Sequence, residues 1–175
     1  STGQVFMRLG GQVHASQHLD YNIPRTIGYE DLLRTAVKLG AINSLKQLFL
    51  QMLFNYMFVN QDDHSRNFSF MCDKDFKYKC TPAYDLTFAK GEKQTVEHQL
   101  SLYGKPLSLI DIDDITTLAT EFSIDLEFVA ISLETMKQLR DNELPKLLKE
   151  YDVKPSKQKQ ILEYTQKRTL QGALI

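Results

Sequence analysis

The chain has 175 residues, 42% of them hydrophobic and 25% charged, with a formal net charge of -1 and a pI near 6.4. This is the make-up of one ordinary globular domain, or of one large lobe of something bigger, and it lacks the basic field that would attract nucleic acid or anionic lipid. No apolar run reaches the roughly 20 residues a bilayer span needs, no secretory leader pattern is present, and two cysteines, Cys72 and Cys80, fit a reducing compartment, so a cytoplasmic location is expected.

Gln4 to Leu9 alternates in part and is rich in strand formers, predicting a short strand that Gly10-Gly11 breaks. The segment from Gln12 to Thr26 reads as an irregular connection. His14 and His18 stand four apart within it, but with no third ligand near them they are expected to be surface histidines. Tyr29, Leu32, Leu33, Ala36 and Val37 follow helical spacing, with Gly40 as a stop. Asn43 or Ser44 can cap a second helix from about Leu45 to Phe58, apolar nearly all round and therefore expected at the centre of the core.

Phe68–Cys72 and Lys77–Thr81 read as the strands of a hairpin turning at Asp73–Phe76. If Cys72 pairs with Lys77, Asn67 lies opposite Pro82, the open end of the hairpin brings Asn67 towards Asp85, and the two cysteines do not face each other. Residues 90–105 look like a loop. Helices follow from Asp111 or Asp113, through Leu126 to a break or kink at Pro145, and again from Pro155 or Ser156. Lys154, Lys157, Lys159, Lys167 and Arg168 read as a solvated basic face.

Between the apolar helix and the hairpin lies Asn60-Gln61-Asp62-Asp63-His64-Ser65-Arg66-Asn67, dense in groups that bind protons, metal or phosphate. Phosphoryl transfer needs a carboxylate to orient or deprotonate the attacking hydroxyl and oxygen ligands for magnesium. Asp62 and Asn67 are separated as the base and metal-binding Asn are in the kinase pattern H-R-D-x-x-x-x-N, whereas Asp63 is one residue short. Asp85 follows the hairpin, where a metal-bridging carboxylate is required. Arg66 could add positive charge or pair with Asp63. A calcium loop from Asp62 would lack its turn glycine, zinc at His64, Cys72 and Cys80 would have no standard spacing, and no G-x-S-x-G occurs.

Asp62-x-His64-x-x-Asn67-Phe68-Ser69, followed by Thr81-Pro82-Ala83-Tyr84-Asp85, closely resembles the signature of HipA-type serine/threonine kinases, the toxins of bacterial toxin–antitoxin pairs. The apolar helix, the Arg8-Leu9 strand and the stretch from His98 to Lys105 are similar to that family too. The resemblance implies an α+β, predominantly helical, protein-kinase-like C-terminal lobe over residues 1–175, with a short β-hairpin after the catalytic loop. It implies Asp62 as catalytic base, Asn67 and Asp85 as magnesium ligands, and His64, Ser65, Arg66, Asn67, Tyr84 and Asp85 around the ATP phosphates. The expected substrate is a protein serine or threonine, in this family on aminoacyl-tRNA synthetases. The expected outcome is growth arrest, and the expected partner a HipB-like antitoxin; neither direct nucleic-acid binding nor membrane association is expected.

One departure is that no G-x-G occurs and the only lysines before the loop, Lys38 and Lys46, fall on predicted helices. The ATP-covering lobe is therefore expected upstream of Ser1, with this piece alone inactive. A lipid or small-molecule kinase would share the loop, though the chain has Tyr84-Asp85-Leu86 where a D-F-G-like segment would be needed. A non-catalytic interaction lobe would keep the motif without the chemistry.

Overall fold

Two helices and a three-stranded sheet hold the polar loop between them. The computed structural model describes residues 5–8, 27–91 and 93–173; His14 and His18 lie outside these. Helix α1 (Tyr29–Lys38) buries Tyr29, Leu32, Leu33 and Ala36 on one face. Gly40, at φ 71°, lets the chain end this helix with bonds from Gly40 N to Val37 O (2.9 Å) and Ala41 N to Ala36 O (2.8 Å).

Helix α2 (Leu45–Met57) supplies the centre of the core, where Leu45, Leu48, Phe49, Met52, Leu53, Tyr56 and Met57 are buried, each stabilising by roughly 1.5–3 kcal/mol. Burial is not complete around it: Lys46 is exposed, and Leu50 and Phe54 are half-buried. Ser44 occupies the N-cap position, but its hydroxyl caps nothing and instead accepts the Cys80 N–H at 2.8 Å, tying the start of α2 to the sheet.

Strands β1 (Val5–Arg8), β2 (Ser69–Cys72) and β3 (Tyr78–Cys80) form an antiparallel sheet in that order. Cys72 pairs with Tyr78, one residue later than the sequence predicts, because Phe76 takes φ 58° and lengthens the turn. The Asp73 carboxylate closes that turn by accepting the N–H groups of Asp75 and Lys77, both at 2.9 Å. Both cysteines are free and buried, and burial pushes the Cys80 thiol up to about 12.

The predicted loop at 90–105 contains a small hairpin, β4 (Ser101–Leu102) with β5 (Lys105–Pro106), turning on Tyr103 (φ 50°) and Gly104 (φ 77°). Helix α3 (Ile112–Glu121) starts at Asp111, whose carboxylate accepts Asp114 N at 3.1 Å while Asp114 reciprocates to Asp111 N at 2.9 Å. Helix α4 (Leu126–Gln138) packs Phe128 against Phe49 of α2 and widens at Leu139–Glu143 before Pro145, which stands in the first turn of α5 (Leu144–Glu150). Helix α6 (Pro155–Gln166) closes the fold. Arg168 beyond it is not part of a solvated face: it is half-buried, lies over the Tyr56 ring, and burial lowers its pKa. Among the described residues no helix is long and apolar enough to cross a membrane.

Candidate active site

Helix α2 ends in strain. Val59 takes φ 58°, unusual for a β-branched residue, with Asn60 N bonding Asn55 O at 3.0 Å. That left-handed step turns the chain out of the core and into the polar loop. The loop entrance is pinned to the segment after Asp85 by Gln61 N to Ala89 O and Ala89 N to Val59 O, both 3.0 Å. Along residues 61–65 burial alternates: Gln61, Asp63 and Ser65 are inside, whereas Asp62 and His64 are half-exposed. Successive side chains therefore divide between the core and the opening, as in an extended strand.

Asp62 is half-exposed, and its carboxylate makes no hydrogen bond or ion pair among the described residues. Asn67, on the short 3-10 turn Ser65–Asn67, is nearly buried and donates its Nδ2 to the Asp62 carbonyl at 3.0 Å. The amide is thereby oriented, and among the described residues no group donates to its Oδ1, a hard acceptor. His64 has its Nδ1 enclosed with no partner, and its carbonyl accepts Asn67 N at 2.9 Å.

Tyr84 joins the two halves of the site. Its hydroxyl donates to Arg66 O at 2.6 Å and bonds the Ser69 hydroxyl at 2.6 Å, which lays residues 84–85 alongside 66–69. Asp85 itself is exposed at φ 55°, a left-handed conformation that Asp tolerates and that re-aims its carboxylate. At the hairpin's open end the two arms are thus joined by a phenol as well as by strand register. The ladder continues through Thr81 N to Ser69 O at 2.9 Å, and in the observed register Asn67 lies opposite Ala83 rather than Pro82.

Asp63 is fully buried and accepts from Tyr29 Oη (2.6 Å), Gln99 N (2.8 Å) and His98 Nδ1 (3.0 Å). Burial first, and then the neighbouring Asp63 carboxylate, raise the Tyr29 pKa well above its usual value, so the phenol stays a donor. Tyr29, Asn55, Asn60, His98 and Gln99 are participants that the sequence reading missed; the polar Asn55 inside an apolar helix was the available signal.

Comparison with known proteins shows the family of the chain. The family model described as HipA-like C-terminal domain matches residues 6–166. The chain belongs to this family. Among solved structures, the HipA, HipB and operator DNA complex of the Shewanella oneidensis MR-1 toxin–antitoxin system contains a chain of similar fold. The TM-score is 0.62 and the identity 16%, over 84% of this chain and 35% of that one. No curated protein sequence matches. The HipA-like domain described here thus spans about a third of the solved chain it resembles.

The donor set of the HipA-like domain suits a hard cation. An amide oxygen and an exposed carboxylate, at Asn67 and Asp85, are oxygen ligands of the kind magnesium prefers, and two of them leave room for water and phosphate. Among the described residues no group of three or more His, Cys, Asp and Glu side chains is placed to hold a metal ion.

Proposed function

We propose that this HipA-like domain is the base- and metal-bearing, kinase-like lobe of an ATP-dependent serine/threonine protein kinase, the toxin of a toxin–antitoxin pair acting in the bacterial cytoplasm. The observation that carries the reading is the bond from Asn67 Nδ2 to the Asp62 carbonyl, 3.0 Å, which couples the orientation of a metal ligand to that of a base five residues away. Asp62, half-exposed and with no carboxylate partner among the described residues, takes the proton of the attacking hydroxyl. Asn67 and Asp85 would hold magnesium, which when bound neutralises charge on the phosphates. His64, Arg66 and Tyr84 border the path of those phosphates; the Ser65 side chain is buried, so Ser65 contributes through its backbone.

The glycine-rich cover and the strand lysine would come from residues outside these 175. A HipB-like antitoxin is the proposed partner, since the toxin of the structurally similar complex is bound to one. An aminoacyl-tRNA synthetase is the first substrate to try, and its phosphorylation would arrest growth.

The test is phosphate transfer from labelled ATP by the full-length protein to the proteins of a bacterial lysate, with Asp62→Asn as control. A magnesium-dependent labelled band, absent in the variant, supports the reading. Label found only in lipid or small molecules points to a different kinase class. No labelling and no magnesium-dependent nucleotide binding leaves a binding lobe.

A further inference from the structure

Two adjacent carboxylates serve opposite directions here. Asp62 opens to solvent, while Asp63 is 0% exposed and holds three donors. A carboxylate is kept in a core only where such donors repay its lost hydration. The donors come from distant parts of the chain. Tyr29 opens α1, and His98 and Gln99 lie on the return leg of the segment that follows Asp85. The network then continues. The Tyr29 hydroxyl accepts from Asn55 Nδ2 at 2.9 Å, Asn55 Oδ1 accepts from Asn60 Nδ2 at 3.0 Å, and Asn60 Oδ1 accepts from Thr87 Oγ1 at 3.5 Å. Helices α1 and α2, the loop entrance and both legs of the segment after Asp85 therefore share one chain of hydrogen bonds centred on Asp63.

We infer that Asp63 is a positioning residue for the proposed phosphoryl transfer. Its buried carboxylate anchors the loop on its inner side, and the alternation along 61–65 turns that anchor into a fixed direction for the Asp62 carboxylate on the outer side. The same anchor holds residues 98–99 to the loop, so the segment starting at Asp85 is fastened near both ends: at Ala89 by backbone bonds and at Gln99 by Asp63. Asp63 touches no reacting atom in this scheme. The inference rests on Asp62 being the base.

The test compares wild-type full-length protein with Asp63→Asn, Tyr29→Phe and Asp62→Asn. The measurements are single-turnover transfer from MgATP, MgATP affinity, and amide hydrogen exchange across residues 61–67. Asp63→Asn and Tyr29→Phe are each expected to slow transfer by about 10- to 100-fold, the effect of a displacement of about 1 Å at the base, with nucleotide affinity kept within about threefold and exchange at 61–67 accelerated. Tyr29→Phe keeps both the ring and the Asp63 carboxylate, so it decides the matter if Asp63→Asn does not fold. Asp62→Asn is expected to slow transfer by about 10²- to 10⁴-fold and leave exchange unchanged. Folded Asp63 and Tyr29 variants with wild-type transfer and exchange overturn the inference while Asp62 stands as base. Transfer that survives Asp62→Asn overturns the assignment of Asp62 instead; exchange then decides alone, faster exchange supporting the anchoring role of Asp63 and unchanged exchange refuting it.

Discussion

Tyr84→Phe removes one oxygen and asks whether the Asp85 carboxylate is placed by its neighbour. The lost hydroxyl makes two bonds of 2.6 Å, to the Arg66 carbonyl and to Ser69 Oγ. Each is worth about 0.5–1.5 kcal/mol net, and the buried Ser69 hydroxyl loses its partner, while water can reach the Arg66 carbonyl beside the exposed ring. The sum is about 1–3 kcal/mol, which holds residues 84–85 against 66–69. If MgATP must supply that ordering itself, its affinity falls roughly 5- to 100-fold, since about 1.4 kcal/mol is one decade. Calorimetric titration of the full-length protein with MgATP reads this directly, alongside a thermal melt. Tyr84→Phe with a lowered melting temperature but nucleotide affinity within about twofold of wild type would refute the reasoning: the bonds would then stabilise the hairpin without setting the metal ligand.

Three further outcomes are expected. Asp62→Asn should leave stability within about 0.5 kcal/mol in urea unfolding, because the half-exposed carboxylate has no partner among the described residues, while transfer falls by about 10²–10⁴-fold; substantial destabilisation would mean a structural role. The Glu121 carboxyl is held below its ordinary value first by the Tyr103 hydroxyl and then by Arg34, which approaches at 2.9 and 3.0 Å. Its contribution is thus present above the unfolded value near 4.5 and lost as pH falls through the lower folded value, so Glu121→Gln should lower the melting temperature at pH 7 and lose that effect once pH has fallen below the folded value. With its thiol near 12, Cys80 should alkylate on the order of 10³-fold more slowly than a free cysteine until the chain is unfolded, as peptide mass spectrometry would record; stoichiometric labelling of the native protein would contradict its burial.

Periodicity carried most of the helices, because each buries an apolar face whose spacing is written locally. Tyr29 to Ala36 and Ile115 to Ala119 are examples in which buried positions recur at three and four. Features that depend on an unusual backbone were not legible. Phe76 and Val59 carry no turn signature, yet both take a left-handed φ, the first shifting the hairpin register and the second ending α2. The Tyr103-Gly104 turn was missed because its strands have only two residues each, too few for alternation to register. The candidate site divides the same way. Asp62, Asn67 and Asp85 were found by spacing along the chain, whereas the partners of Asp63 lie 34 to 36 residues away and no local pattern announces them.

The pair Asp62-Asp63 is where spacing and structure bear on each other most closely. From the sequence either acid could have been the base, and the five-residue interval to Asn67 favoured Asp62. The coordinates separate the two acids by their surroundings. Asp63 has every approach filled by donors from α1 and the 98–99 segment, so a substrate hydroxyl could reach it only by dismantling that network. Asp62 has none of these bonds, and its own carbonyl is the group that Asn67 grips. A base must be free to accept a proton at the opening, and a neighbour that cannot move is the simplest way to keep it aimed there. The doubled aspartate therefore divides the work: one residue is available for the proposed chemistry because the other is committed to the fold.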